Sequence, residues 1–216
     1  MDFRLDIILD YLPIVLKGSL LTIGISILSI IAGSILGLVI GFGKMSSRWI
    51  FRWPMSAYIN FFRGTPLYVQ ILMVHFGLVP LIFGSTEPIT AAILALSLNS
   101  AAYSAEIFRA GIQSISAGQS EAAYSLGMSH RQAMRFIILP QAIKRMIPAF
   151  GNEFIVLVKD SSLVAIIGAQ EIMYWSNGMS GQYSRIWEPY LLASLIYFIL
   201  TYSLSKLLTV IEGRLN

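Results

Sequence analysis

Five long stretches of mostly apolar residues, separated by shorter polar segments, organise this sequence. About 20 apolar residues of helix are needed to cross the hydrocarbon core of a bilayer, so such runs predict membrane-spanning helices. The predicted spans are Leu12 to Phe42, Pro54 to Phe83, Pro88 to Ile112, Gln132 to Ile167 and Trp187 to Ile211. We therefore expect an all-α membrane protein, with residues 1–216 forming a single transmembrane domain of five helices.

The fourth predicted span is longer than a bilayer requires. It contains Pro140, Pro148 and Gly151, and proline inside a helix kinks it because the ring removes a backbone donor and clashes with the preceding turn. We expect this span to be kinked, with its first turns outside the hydrocarbon.

A ridge of small residues runs along the first predicted span. Its members recur every four residues: Ser29, Gly33, Gly37 and Gly41. Small residues at this spacing let a second helix approach closely in a membrane. The ridge predicts a packing surface, either within the chain or between two copies of it.

Composition agrees with a chain that lies in lipid. Hydrophobic residues make up 56% of the 216 positions and charged residues only 12%, with a mean hydropathy of +0.72, which is outside the usual range of soluble domains. The net charge is +4, but the basic residues lie between the apolar runs, which favours membrane orientation over nucleic-acid binding. The absence of cysteine excludes disulfides and thiolate metal sites.

The distribution of lysine and arginine predicts the orientation. Basic residues cluster between spans one and two and between spans three and four: Lys44, Arg48 and Arg52, then Arg131, Arg135, Lys144 and Arg145. Such loops face the cytoplasm. The N-terminal leader carries Asp2, Asp6 and Asp10 against Arg4, and the segment around Glu87 has no basic residue. We expect the N-terminus outside and the C-terminus inside.

The loop between spans three and four carries its own helix signals. Ser116 with Gln119, and Ser129 with Gln132, each fit a capping box, and Gly127 fits a helix stop. These signals predict a short cytoplasmic helix at about 119–127, then a turn and a new helix.

This loop resembles a known motif. Glu121-Ala122-Ala123, followed by Gly127, Ile137, Leu139 and Pro140, is similar to the EAA motif of bacterial ABC importer permeases. The resemblance implies the type I importer fold and a multi-pass protein of the bacterial cell membrane. It also implies that the short helix docks into a cleft of a separate ATPase, with Glu121, Ala122, Ala123 and Gly127 as the docking residues.

Three further segments resemble the polar amino acid branch of these permeases. They are Phe62 to Pro66 with Gln70, Tyr103 to Ile112, and Lys159 to Leu163. The family implies an extracytoplasmic amino acid-binding protein and a second permease copy as partners. With five spans in one chain, a homodimer is expected, and a heterodimer with a similar chain stays open.

The chain has no phosphate-binding loop of its own. The nearest candidate, Gly41 to Met45, lacks both the spacing of a P-loop and the following Ser or Thr. No cofactor is expected in this chain, and ATP and magnesium are expected on the partner ATPase.

Polar residues within the spans are candidates for the substrate path, because they are costly in lipid unless they face protein or water. The candidates share two helix faces: Asn99, Tyr103 and Glu106 on span three, and Glu153 and Asp160 on span four, with Ser161 and Ser162 nearby. Interhelical hydrogen bonding, or an internal Glu106–Arg109 ion pair, would explain them equally simply.

If these faces line one cavity, the two acids of span four, Glu153 and Asp160, favour a basic amino acid such as arginine, lysine or histidine. Glutamine is the next candidate.

Two other classes remain as alternatives. Gly178 to Gly181 matches the GxSG string of intramembrane serine proteases, but a catalytic serine needs a base within reach, and only His75 and His130 are available. An ATP-independent transporter would need no docking motif. Neither histidine has a partner at metal-ligand spacing.

Overall fold

The structure is a computed structural model that describes residues 3–215, and within them it consists of helices joined by short turns without a β-strand. The α-helices are α1 Leu5–Met45, α2 Trp49–Gly64, α3 Leu67–Met73, α4 Val79–Phe83, α5 Pro88–Gln113, α6 Ala117–Ser125, α7 His130–Ala133, α8 Leu139–Asp160, α9 Ile172–Tyr183 and α10 Trp187–Leu215. One turn of π-helix joins α3 to α4 and another joins α7 to α8. Asp2, used above for orientation, lies outside the described residues.

Helices α1 and α5 pack against each other along the predicted small-residue ridge. A Cβ atom added at Gly33 would lie 2.8 Å from the Cβ of Ser100, and one added at Gly37 would lie 2.5 Å from the Cβ of Ser104. Only glycine permits this approach of the two backbones. The prediction of a packing ridge is confirmed, and its partner lies within the same chain.

Three described helices are long and apolar enough to cross a membrane, namely α1, α5 and α10. The α2 helix and the segment Leu67–Phe83 meet this criterion together, as a pair bent by 110°. Helix α8 is 22 residues long but carries five charged side chains, Lys144, Arg145, Glu153, Lys159 and Asp160. The count of five spans and the N-out, C-in orientation therefore stay predictions.

The second predicted span, Pro54 to Phe83, is not one straight helix. It breaks at Thr65 and Pro66, where proline removes a donor and pushes the preceding residue into an extended conformation. Thr65 is extended accordingly (φ −116°, ψ 150°). The side-chain amide of Gln70 donates to the carbonyl oxygen of Phe62 over 2.8 Å and to that of Thr65 over 3.1 Å. It thereby satisfies carbonyl groups that the break leaves free.

The fourth predicted span is divided into four pieces. The π-turn Met134–Ile138 follows α7, α8 carries the central part, and a 3₁₀ segment, Ser161–Ile167, continues from it. Gly151 lies at a close contact, since a Cβ there would overlap the side chain of Leu208 on α10. The π-turn lies next to Pro140, whereas Pro148 and Gly151 lie inside the continuous helix α8.

The segment from Ala169 to Glu188, which begins just after the fourth predicted span, contains helix α9. The buried carboxylate of Glu171 caps this helix by accepting from the backbone N–H groups of Met173 and Tyr174, both over 2.8 Å, and the hydroxyl of Tyr197 donates to it over 2.6 Å. A Cβ at Gly18 would lie 2.9 Å from the Glu171 backbone. The cap and this close contact fix α9 against α1 and α10.

Candidate functional site

A cavity of about 850 Å³ lies between α5, α8 and the break that separates α2 from α3. Its lining combines apolar residues with acidic, basic and amide side chains. The polar and charged members are Arg63, Thr65, Asn99, Tyr103, Glu106, Ser114, Arg145, Asn152, Glu153 and Asp160. A concave site with an apolar wall and a few converging polar groups is the usual form of a small-molecule site.

The two acids predicted on the fourth span face this cavity together. Glu153 and Asp160 are seven residues apart, so they share one side of α8. The hydroxyl of Ser100 donates to Glu153 Oε1 over 3.0 Å. Asp160 is partly buried and makes no hydrogen bond or ion pair with any described residue. Each carboxylate therefore retains acceptor capacity for a ligand.

The α5 residues of the predicted site also line the cavity, but two of them are already engaged. The amide of Asn99 donates to Gln70 Oε1 over 2.9 Å, which ties α5 to the break before α3. The carboxylate of Glu106 pairs with Lys44 over 2.5 Å and with Arg109 over 2.8 Å. Glu106 thus matches the internal ion pair considered from the sequence, with Lys44 as a further partner.

Tyr103 lines the cavity, and the positively charged guanidinium of Arg63 lies over its ring. The guanidinium carbon of Arg63 lies 5.3 Å from the centroid of the Tyr103 ring, within the range of a cation–π contact. Arg63 comes just before the Thr65–Pro66 break, so the bend of the chain places this positive charge at the cavity.

Ser161 and Ser162 lie outside the lining of this cavity. Ser161 is fully buried and its hydroxyl donates to the carbonyl oxygen of Val158 over 2.8 Å. The sequence placed both serines only near Asp160. The change from α-helix to 3₁₀-helix at Ser161 alters the rotation per residue, so the face of α8 that lines the cavity does not continue beyond Asp160.

Arg145 and Asn152 are cavity residues that the site prediction missed. Arg145 was assigned only to orientation, but its guanidinium donates to the carbonyl oxygen of Ser114 over 2.5 Å, which closes the end of the cavity next to α6. Asn152 lies seven residues further along α8 and is exposed. Their common spacing with Val156 along one face of α8 was the available signal.

The Glu121-Ala122-Ala123 segment lies in helix α6, which a tight turn follows. Glu121 and Ala122 are exposed and Ala123 is buried. Gly127 has φ +78°, and N–H groups of Gly127 and Met128 bond back to the carbonyl groups of Tyr124 and Ala123, which is the pattern of a Schellman stop. The predicted stop at Gly127 is confirmed.

Of the two predicted capping boxes, one forms. Ser129 and Gln132 make both reciprocal bonds, so this prediction is confirmed. Ser116 instead accepts from the N–H of Gly118 over 3.3 Å, while the Gln119 side chain accepts from Gln141 over 3.2 Å. The first capping box is therefore wrong, because Gln119 links α6 to α8.

Ser180, the serine considered for catalysis, has no histidine among its hydrogen-bond partners within residues 3–215. Ser180 lies in α9 and donates to the carbonyl oxygen of Arg185 over 2.7 Å, while His130 bonds to Tyr124 over 2.9 Å. Among residues 3–215, no group of three or more His, Asp or Glu side chains is placed to hold a metal ion.

Comparisons with known proteins agree with this architecture. The family described as "binding-protein-dependent transport system inner membrane component" matches residues 29–216. The arginine transport system permease protein ArtQ of Bacillus subtilis (strain 168) is 39% identical over 216 residues, which cover 100% of this chain and 98% of that protein. The glutamine transport system permease protein GlnP of Escherichia coli (strain K12) is 35% identical over 218 residues, which cover 100% and 99%.

Solved structures show the same likeness. A chain in the crystal structure of an amino acid ABC transporter with histidines is 42% identical, with a TM-score of 0.92 over 99% of this chain and 100% of that one. A chain of the MetNI methionine ABC transporter in an inward-facing conformation has a TM-score of 0.80 at 22% identity, over 95% and 97%. The second similarity is one of fold alone.

Proposed function

Because the chain belongs to the family of binding-protein-dependent transport system inner membrane components, we propose that its cavity carries basic amino acids across the membrane. The close relatives make the chain a permease subunit of an amino acid ABC importer in the inner membrane, so the resemblance inferred from the EAA segment is confirmed. Such a subunit is not itself an enzyme, since ATP hydrolysis belongs to a separate subunit.

The observation that carries the proposal is the pair of carboxylates on α8. Glu153 and Asp160 face one cavity, and a cationic ligand would satisfy both, whereas a neutral or acidic ligand would leave at least one carboxylate unpaired. The α-carboxylate of the cargo would have a separate partner in Arg63, which also lines the cavity. A charge-assisted bond at each end would fix the orientation of the amino acid.

Glutamine is the second candidate, and amide groups in the cavity favour it. Asn152 is exposed to the cavity and could exchange hydrogen bonds with a carboxamide. A relative of nearly the same length is a glutamine permease.

The proposed assembly contains two copies of this chain, two ATPases that bind ATP and magnesium, and an extracytoplasmic amino acid-binding protein. Support for the ATPase contact comes from α6, where Glu121 and Ala122 are exposed and Leu126 is 82% exposed. An apolar side chain this accessible, next to a free carboxylate, suits a protein contact. We place the five spans with the N-terminus outside, so that α6 meets the ATPase in the cytoplasm.

ATP hydrolysis by the purified assembly tests the cargo. The complex is reconstituted in nanodiscs with its binding protein, and hydrolysis is measured with arginine, lysine, histidine and glutamine in turn. We expect the basic amino acids to stimulate hydrolysis and glutamine to have little effect. Stimulation by glutamine alone would overturn the basic cargo and leave the importer intact.

A further inference from the structure

A second cavity, of about 610 Å³, lies where the first turns of α1, the start of α5 and the segment before α9 meet. It shares no lining residue with the cavity of the proposed transport path. Its charged side chains are Lys17, Asp10 and Glu87, and the amide of Gln170 and the indole of Trp175 complete its polar lining. A concave site with charges of both signs is suited to a ligand that itself carries both.

The packing of α1 on α5 gives the level of this cavity in the membrane. The close contacts at Gly33 and Gly37 advance by four residues on both helices, so the helices run in the same direction. Leu21 and Pro88, each twelve residues before the first contact, therefore stand at one level, and both line the cavity. Lys44 follows Leu21 by 23 residues, about 35 Å at 1.5 Å per residue. A moderately tilted helix of this length crosses the hydrocarbon of a bilayer.

With the N-terminus placed outside, Lys44 marks the inner boundary of the hydrocarbon and Leu21 the outer one. Lys17 is four residues before Leu21, about 6 Å further out. The headgroup layer is about 5–8 Å thick on each side of a bilayer. The cavity is therefore at the level of the outer lipid headgroups, where indole rings such as that of Trp175 are also enriched.

The charged groups of this cavity have unused bonding capacity. Lys17 is exposed and makes no hydrogen bond or ion pair with another residue of the described part of the chain. The carboxylate of Glu87 accepts from the backbone N–H groups of Ile89 and Thr90 over 3.2 and 2.5 Å. A carboxylate offers about four acceptor positions, so Glu87 keeps room for a donor of a ligand.

The net charge of the lining selects among ligands. One lysine and two carboxylates leave the cavity with a formal charge of −1. Asp10 lies seven residues before Lys17, on the same face of α1 and about 10 Å further out. A purely anionic ligand would meet Lys17 but would be repelled by both acids. A zwitterion would find a partner for each of its charges.

The side of α1 next to Lys17 is apolar and exposed. Leu16 and Leu20 are 50% and 73% exposed, and Ile27 and Ile31 continue this stripe toward the middle of α1 at spacings of seven and four. Exposed aliphatic side chains at the depth of the hydrocarbon face acyl chains. The cavity therefore lies beside a surface suited to the tail of a lipid.

We propose that this cavity binds one molecule of phosphatidylethanolamine from the outer leaflet, with its phosphate at Lys17 and its ammonium at Glu87. The acyl chains lie along the stripe that begins at Leu20. The proposal rests on the orientation proposed above and adds a lipid site to it. Phosphatidylglycerol has no cation for Glu87, and the quaternary ammonium of phosphatidylcholine has no N–H to donate.

Titration with defined lipids tests the site. The purified permease–ATPase assembly is stripped of lipid and titrated with phosphatidylethanolamine, phosphatidylcholine or phosphatidylglycerol of identical acyl chains. Native mass spectrometry counts the lipids bound to each permease chain. We expect one phosphatidylethanolamine per chain, with a Kd about tenfold lower than for the other two lipids. Equal affinity for the three lipids would overturn the proposal.

Two substitutions with the same loss of charge locate the site. Lys17→Gln should weaken the binding of phosphatidylethanolamine about tenfold or more, because a charge-assisted bond to the phosphate is lost. Lys144→Gln is the matched control, since Lys144 is also exposed and lies outside the cavity lining. Unchanged affinity in the Lys17→Gln variant would contradict the assignment of the phosphate.

Reversal of one charge tests the selection. Asp10 is exposed, and Asp10→Lys changes the formal charge of the lining from −1 to +1. The variant should bind phosphatidylglycerol at least as tightly as phosphatidylethanolamine. If it kept the preference of the natural chain, the electrostatic basis of the proposal would be wrong.

A competition experiment separates a lipid from a soluble ligand. Free phosphoethanolamine carries the same charges without acyl chains, and at equal concentration it should not displace the lipid. Displacement by phosphoethanolamine or by arginine would assign the cavity to a soluble zwitterion and overturn the proposal. Lipid binding is read on the permease chain without cargo or ATP, so its failure would leave the proposed importer intact, and failed transport would leave the lipid site intact.

Discussion

Glu153 faces the cavity, and among the described residues a single side chain bonds to its carboxylate, the hydroxyl of Ser100 at 3.0 Å. The change Glu153→Gln keeps size and hydrogen-bonding capacity but removes the charge. A hydrogen bond to a charged group contributes about 1.5–3 kcal/mol, so we expect arginine uptake to fall roughly 10- to 100-fold. The measurement is the initial rate of labelled arginine uptake, with assembly checked by co-purification of the ATPase.

The matched control is Glu212→Gln, a carboxylate near the end of α10 and outside the cavity lining, which should leave uptake unchanged. Asp160→Asn should behave like Glu153→Gln. If neither cavity variant altered uptake, the assignment of the cavity would be wrong.

Gly127 supplies a second prediction at the scale of one residue. Its φ of +78° costs a residue with a Cβ about 1–2 kcal/mol, so Gly127→Ala should loosen the turn after α6 and reduce the ATPase that co-purifies. Gly127→Asn should be milder because asparagine tolerates this conformation. Gly118→Ala is the control, since a Cβ there would meet only Ser116 Oγ at 3.6 Å. Full ATPase recovery with Gly127→Ala would contradict the role of the turn.

Some site residues could be predicted from the sequence, and others could not. Glu153 and Asp160 were found because α-helical spacing holds between them. Ser161, which the sequence placed near this pair, lies outside the cavity lining, at the point where the 3₁₀ segment begins. Arg63 was missed because its position depends on the bend at Pro66, which brings distant parts of the chain together.

At the scale of elements, the contact between α1 and α5 depends on glycine. A Cβ at Gly37 would lie 2.5 Å from Ser104 Cβ and 2.9 Å from the carbonyl oxygen of Ala101. Such overpacking costs about 1–3 kcal/mol, so Gly37→Ala should lower the melting temperature by about 2–12 °C. Gly24→Ala is the matched control on the same helix, because a Cβ there meets nothing within 4 Å. Equal melting temperatures for the two variants would contradict this packing.

The helices that sequence periodicity could predict are those whose signal is local. Runs of apolar residues indicated α1, α5 and α10. The capping box could be recognised from the four consecutive residues Ser129 to Gln132. Helix α9 was missed because it is polar and short, and its stability comes from Glu171 and from packing against α1. Pro66 indicated the break after α2. The prediction nevertheless followed the length of the apolar run and treated Pro54 to Phe83 as one span.

At the scale of the whole molecule, the orientation is open to a direct test in a chain without native cysteine. The two single-cysteine variants are Ser85→Cys, before α5, and Ser125→Cys, at the end of α6, both at exposed positions. We expect a membrane-impermeant maleimide to label the Ser85→Cys variant in intact cells and the Ser125→Cys variant only after permeabilisation. The reverse pattern would invert the proposed topology and remove α6 from the ATPase.

The central claim is that this chain is a path for amino acids which opens only under the action of an ATPase docked at α6. Uptake of labelled arginine into proteoliposomes tests it most directly, with binding protein outside the vesicles and ATP inside. We predict accumulation above the external concentration when permease, ATPase, binding protein and ATP are all present, and none when any one is omitted. Arginine flux through the permease alone, without ATP, would contradict the account.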